Sequence, residues 1–328
     1  MSATILRAGP LTAVQDLGRN GFRGIGVGTS GALDGFAARV ANLLVGNDET
    51  AALIEVTLGI FRIRFNDARV IAWCGGAFEA RIGGEQIPAG RAVAVAAGEE
   101  LAIDRPSPGC RAWLAISGGI DLPLVLGSRS TDLRASFGGM EGRSLRAGDA
   151  LPLGAVPARA QALARSLGSS RVGYWSALAN WAITAVARPV LRVVRGADWD
   201  RFEESAQKAL FGENFSVTAD ADRMGVRLDG PELNRAEAGD LLSQAVTPGT
   251  VQVPPNGKPI LLLGDCQTIG GYPKIAHVIT ADLPIAAQLR PGDQLRFSEV
   301  SLAAAHELLL ERESELERFR IGLEFHTA

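Results

Sequence analysis

Between residues 50 and 154 apolar positions recur in short runs, several of them alternating with polar ones. Ile60–Phe65, Val70–Trp73, Phe78–Ile82, Val93–Ala96, Leu101–Ile103 and Ala112–Ile116 read as strands. Asn66–Asp67, Gly75–Gly76, Gly83–Gly84, Gly98 and Pro108–Gly109 supply the turn residues between them. Strands this short and this closely spaced predict a closed or sandwiched antiparallel sheet and argue against βαβ units. Before them, Phe36, Val40, Leu43 and Leu44 fall on one helical face, with Asp34 as N-cap and Gly46–Asn47 as the stop.

A second β-rich region opens near Pro189–Val194. Asp198 is expected to cap a helix with the stripe Trp199, Phe202, Ala206 and Leu210. Strands are expected at Phe215–Thr218, Thr250–Val253, Ile260–Leu263, Ile275–Ile279 and Gln294–Phe297. Between the regions, an Ala-rich helical stretch leads to Tyr174, Trp175 and Trp181, which suit a lid, an interdomain wedge, a partner surface or a linker packed on one barrel. The tail Ser301–Arg320 reads as a helix with Leu302, Leu309, Leu316 and Phe319 near one stripe.

The two β regions echo each other in order. Leu33–Asp34–Gly35 corresponds to Leu228–Asp229–Gly230, Val56–Gly59 to Val246–Gly249, and Leu145–Asp149 to Leu289–Asp293. The resulting expectation is a first β domain at 1–155, a connection at 156–188, a second β domain at 189–300 and a helical tail at 301–328. A chain of 328 residues also exceeds what one core usually supports.

Composition narrows the function classes. Lys plus Arg total 33 against 36 acidic residues, a formal charge of 33 − 36 = −3, so no basic field points to nucleic acid. The sequence opens on folded-looking residues without a basic-then-apolar leader, and Ala177–Ala187 falls short of the roughly 18 apolar residues of a span. A cytoplasmic protein is expected. Cys74, Cys110 and Cys266 are widely separated and odd in number, unlike a disulfide framework, and Cys74 and Cys110 read as buried small hydrophobes. His277, His306 and His326 stand at no ligand spacing, so no metal site is expected.

The densest candidate chemistry is Gly264–Asp265–Cys266–Gln267–Thr268–Ile269–Gly270–Gly271–Tyr272–Pro273–Lys274 between two strands. It offers an acid, an amide and an amine on a glycine-set path, suited to an anionic or carbonyl-bearing ligand; a tight hairpin with solvated side chains is the alternative. Ser30–Gly31–Ala32–Leu33–Asp34 meets a helix N-terminus, where unpaired N–H groups favour anions, although Asp34 also serves as a plain cap. Arg129, within Ser128–Arg129–Ser130–Thr131–Asp132, either clamps a carboxylate or pairs with Asp132. Asp222–Arg223–Met224–Gly225 presents another Arg beside glycine, and Glu55 places a carboxylate on a strand.

Taken together, Gln15–Arg19, Ser30–Asp34, Glu55–Gly59, Ser117–Asp121, Leu126–Arg134, Asp222–Gly225, Thr250–Pro255 and Gln267–Ala276 resemble the family of 5-oxoprolinase C components. It is also known as the biotin-dependent carboxyltransferase, allophanate hydrolase subunit 2 or KipA-like family. The resemblance covers roughly residues 5–298 and implies a mainly β chain of two cyclophilin-like antiparallel barrels with short accessory helices. It implies two 5-oxoprolinase partners, a KipI-like B component and a LamB/YcsF-like A component, with no nucleic acid and no membrane. The implied reaction is ATP-dependent conversion of 5-oxo-L-proline to L-glutamate, with ATP, and Mg where it accompanies ATP, bound in the assembly. Two alternatives accompany it: carboxyl transfer from biotin to urea or a related amide, and a regulatory protein that binds a KipI-like kinase inhibitor. Catalytic roles are expected for Lys274, Gln267, Asp265 and Arg129. Substrate or anion binding is expected at Ser30, Asp34, Ser128, Asp132, Arg223, Gly270, Gly271 and Tyr272. The chain departs from the family pattern at Cys266, where Arg is usual, at His277, where Thr is usual, and at Cys74–Ala77, which lacks the acid.

Overall fold

The computed structural model describes residues 1–168, 170–236, 239 and 241–327, with side chains through residue 325, so the side chain of His326 lies outside the described residues. The chain is mainly β and divides into two compact units. One comprises residues 1–19, 30–185 and 314–328, the other 20–29 and 186–313.

In the first unit the strands form two six-stranded sheets. One runs in the order Ala150–Pro152, Ser2–Ala8, Phe61–Phe65, Glu100–Pro106, Phe78–Ile82, Glu85–Ile87. The other runs Val172–Ser176, Arg91–Val95, Arg69–Gly75, Arg111–Ile116, Leu53–Thr57, Leu11–Gln15. Phe61, Ile63 and Phe65 point into the core while Arg62 and Arg64 stay outside, the period of two expected of a sheet wet on one face. Arg69–Gly75 and Arg111–Ile116 are buried throughout, because the helix Gly35–Leu44 packs on them. That second cover is why they read as unbroken apolar runs. Each fully buried Phe, Ile or Leu of this core contributes roughly 1.5–3 kcal/mol.

The residues between 156 and 185 belong to this unit. Helix Ala158–Leu167 is followed by Val172–Ser176, which adds an edge strand beside Arg91–Val95. Trp181 is buried, edge-on to Phe36 at 5.2 Å and to Phe319 at 5.5 Å, so it is a core residue and not a lid. Phe319 lies in the helix Leu302–Thr327, where Leu316 and Leu323 are buried. Leu302, expected on the same stripe, is exposed.

The second unit closes a seven-stranded barrel. Its order is Val190–Arg195, Lys274–Val278, Thr250–Gln252, Ile260–Leu262, Gly225–Asp229, Phe215–Val217, Gln294–Glu299. The closing pair, Val190–Arg195 with Gln294–Glu299, is parallel, an exception to the antiparallel pattern. Ile260–Leu262 and Lys274–Val278 do not pair with each other; both pair with Thr250–Gln252, which lies between them. The glycine-rich segment is therefore not a hairpin turn but a crossing over the end of that central strand. It carries its own short strand, Ile269–Gly270, paired with Gln244–Ala245.

The internal echo is partly structural. Arg146 N donates to Asp149 Oδ2 at 2.7 Å, and Arg290 N to Asp293 Oδ2 at 3.1 Å, so both matched segments form the same Asp-closed turn before a strand. The Leu-Asp-Gly matches differ: Asp34 caps a helix, whereas Asp229 ends a strand and pairs with Lys258.

Candidate functional site

Each unit gathers several of the expected residues into one polar cluster. In the second unit, Asp222 Oδ1 accepts from the N–H of Met224 and Gly225 at 2.7 and 3.0 Å, closing a turn that carries Arg223. The Arg223 guanidinium meets Asp265 through two bonds, Nε–Oδ2 at 2.8 Å and Nη2–Oδ1 at 3.1 Å, with both side chains buried. Asp265 N also donates to Arg223 O. Expected as an acid and an anion binder, these two residues neutralise each other and lock two loops.

Lys274 has a similar fate. Its ammonium is buried 3.1 Å from Asp198 Oδ2, and its backbone N–H donates to the same oxygen at 3.0 Å. Asp198 was expected to cap the following helix, but its side chain makes no cap bond there; a short 3-10 turn intervenes and the helix starts at Glu204. A buried carboxylate without a counter-ion is far costlier than a frayed helix end, so the pairing wins. Gly196 permits it: a Cβ there would lie 2.2 Å from Lys274 O.

Gln267 and Tyr272 line a cavity of about 190 Å³ together with Gln252, Arg227, Met224, Asp220 and their neighbours. Gln252 Nε2 donates to Tyr272 O at 3.2 Å, and Gln267 Nε2 to Gln252 Oε1 at 3.4 Å. A Cβ at Gly270 would sit 2.8 Å from Gln252 Nε2, so that glycine leaves room for the amide pair. Gly271 is less constrained, its nearest neighbour being Leu241 O at 3.4 Å. Arg227 is exposed, lines the cavity and makes no side-chain hydrogen bond or ion pair among the described residues. Sequence reasoning missed Gln252, Arg227 and Arg23. Arg23 reaches Val246 O and Gln267 O, bracing the crossing loop from a residue more than 200 positions away in sequence.

In the first unit the hub is Asp16, also missed. Its Oδ1 accepts from Gly18 N at 2.8 Å and from the hydroxyls of Ser128 and Ser130 at 2.6 Å each. Its Oδ2 accepts from Arg129 N at 2.5 Å, and Ala32 N donates to its carbonyl. Two motifs thus meet at one carboxylate, and a third at the backbone carbonyl of the same residue. The Arg129 side chain turns to Leu122 O and Asp121, not to Asp132, which instead accepts from the N–H of Arg134 and Ala135. Asp34 caps its helix through Ala37 N at 2.7 Å and accepts from Thr184 Oγ1. Ser30 adopts a left-handed backbone at φ 51°, and its buried hydroxyl has no partner among the described residues. Glu55 is spent on Trp113 Nε1, Leu33 N and Arg111.

Burial raises the pKa of Cys74 and of Cys266, with Arg23 opposing the rise at Cys266, so neither is a ready thiolate. Among the described residues no group of three or more His, Cys, Asp or Glu is placed to hold a metal, and no helix is long and apolar enough to cross a membrane. Burial pushes the His277 imidazole below its ordinary pKa. Below about pH 6.5 the unfolded chain then takes up a proton more readily than the native one, so stability falls as pH drops toward the native pKa. Urea midpoints measured from pH 8 to 5 are expected to fall less steeply in His277→Gln; equal slopes would dismiss this contribution.

The sequence matches the family described as carboxyltransferase domain, subdomain A and B, over residues 25–299. It is 40% identical to the C component of 5-oxoprolinase from Escherichia coli over 92% of both chains, and 36% identical to that of Haemophilus influenzae over 94% of both. It is 33% identical to urea amidolyase of Saccharomyces cerevisiae over 92% of this chain but 17% of that protein. Among solved structures, the urea carboxylase of Kluyveromyces lactis superposes with a TM-score of 0.88 at 29% identity, over 97% of this chain; the chain spans 29% of that structure's length.

Proposed function

Because the chain belongs to the carboxyltransferase subdomain A and B family, we propose that it acts as the C component of a 5-oxoprolinase. One observation carries this reading: the likeness to that component runs over nine-tenths of both chains, whereas only a small part of urea amidolyase is represented. The full proposal is conversion of 5-oxo-L-proline to L-glutamate at the expense of ATP, in the cytoplasm, in a complex with the A and B components.

The cavity of the second unit supports a small substrate. At about 190 Å³ it lies below the roughly 300–1,000 Å³ of sites for drug-sized ligands. Among the described residues its lining offers two amides and one cation, Arg227, beside two carboxylates, Asp220 and Asp222, of which Asp222 is bonded to the N–H of Met224 and Gly225. In this reading Arg227 takes the ring carboxylate. Gln252 and Gln267 meet the lactam with an amide N–H and an amide oxygen. Lys274, the register partner of Gln252, contributes positive potential beside them while Asp198 fixes its place. A nucleotide triphosphate does not fit the same residues: Arg227 is the one cation among the described lining residues, Asp220 and Asp222 stand beside it, and Arg223 is spent on Asp265. No step through ATP is therefore assigned to this cavity, and the proposal leaves ATP to the assembled complex. No step through biotin is assigned to this cavity either.

The test is reconstitution with the A and B components, ATP and 5-oxo-L-proline. Glutamate and ADP are expected in equal amounts; a verified stable complex that forms none overturns the reading. Arg227→Gln is expected to raise the KM for 5-oxoproline by about tenfold or more with kcat nearly unchanged, since loss of a charged hydrogen bond costs about 1.5–3 kcal/mol. Its thermal midpoint should match the parent, because the side chain supports nothing in the fold. An unchanged KM would remove Arg227 from the site.

A further inference from the structure

The first unit holds a second and larger cavity, about 630 Å³, that the proposed reaction does not use. Helix Ala158–Leu167, the edge strand Val172–Ser176 and the strand Arg91–Val95 supply most of its walls. Leu163, Leu167, Val172, Trp175 and Leu323 make the lining mainly apolar. The space is a cleft open to solvent past the exposed Ser166, Ser170 and Tyr174, so a ligand can enter without the fold opening, and its apolar floor gains by being covered. The volume falls within the ~300–1,000 Å³ range of small-molecule sites.

Among the described residues one ionic group lines it, Arg91. Its guanidinium is half-buried and, among the described residues, it makes no ion pair or side-chain hydrogen bond and no carboxylate lines the cavity. The two lining serine hydroxyls are already donated, Ser166 to Leu163 O at 2.8 Å and Ser170 to Val172 O at 2.9 Å. An uncompensated cation beside apolar walls selects a ligand with an acidic head and a hydrocarbon body. An alcohol would lack the charge, and a small polar acid would leave the apolar surface unfilled.

We infer that this cavity binds an amphipathic carboxylic acid, with Arg91 holding the carboxylate and the aliphatic side chains and Trp175 covering the chain. The site is independent of the reaction proposed for the second unit, and its test needs no activity measurement.

The probe is decanoate, below its micelle concentration, titrated into the full chain by calorimetry and by tryptophan fluorescence. Saturable binding at one site per chain is expected. Decanol should bind at least tenfold more weakly, and Arg91→Gln should weaken decanoate by roughly tenfold to a hundredfold, the range for one charged hydrogen bond. Ser166→Trp, at an exposed position on the rim, should block decanoate while circular dichroism and melting stay those of the parent. Absence of saturable decanoate binding overturns the inference. So does decanoate binding that survives Arg91→Gln undiminished, or decanol binding as tight as decanoate.

Discussion

Lys274→Met is expected to destabilise the second unit by about 3 kcal/mol, because it leaves the buried Asp198 carboxylate with only the exposed Arg201 guanidinium, 3.4 Å away, as counter-ion. The thermal midpoint of that unit should fall on the order of 10 °C. A solvated lysine on a hairpin would have cost about 0.5 kcal/mol or less. The size of the effect thus distinguishes the buried pair from the turn that the sequence suggests. Stability and chemistry separate in the double variant Asp198→Asn/Lys274→Met, in which no buried charge is left unpaired, Arg201 being exposed, and an amide oxygen still faces the backbone N–H of residue 274. Most of the lost stability should return. Under the proposed function, turnover of the reconstituted complex should remain reduced by roughly 100-fold, the few kcal/mol that a positioned charge supplies. Parental turnover in the refolded double variant would confine Lys274 to holding the barrel together.

The second large effect belongs to Asp16. Asp16→Ala removes the acceptor of two buried serine hydroxyls and two backbone N–H groups at once. Each orphaned buried group costs about 1–3 kcal/mol, and partial relaxation should bring the total to about 3–5 kcal/mol. Urea denaturation measures it. Hydrogen exchange should localise the opening to amides 128–131, which lose their anchor. Asp16→Asn should fall between, since its amide keeps one acceptor but sets a donor against another. A loss under about 1 kcal/mol would mean that the Asp16–Gly18 turn and the 128–130 loop are held by other contacts.

Much of the fold was legible in the chain. Alternation such as Phe61–Arg62–Ile63–Arg64–Phe65 is local information, and so are the turn glycines and the Asp34 cap. The helix Gly35–Leu44 and most strands of both halves lie close to where periodicity puts them. The pairing of strands was less accessible. Ile260–Leu262 and Lys274–Val278 looked like a hairpin because they are neighbours in sequence, yet a barrel places Thr250–Gln252 between them. Periodicity identifies the buried face of a strand and says nothing about which strand lies beside it.

The candidate chemistry divides along the same line. The sequence by itself determined which residue types are available: the Asp265–Lys274 segment, the serines around Arg129, the Ser30–Asp34 turn and the ordered motifs that mark the family. Only the tertiary structure decided which charges are spent and which remain. Asp198 looked like a helix cap and became the partner of Lys274; Arg223 and Asp265 cancel each other; Arg129 turned to Asp121. Arg227 and Arg91, unremarked in sequence, are left uncommitted beside the two cavities. The reason is physical. A side chain's type is fixed by its codon, but the cost of burying its charge depends on the groups within a few ångströms, and those arrive from distant parts of the chain only when the barrel closes.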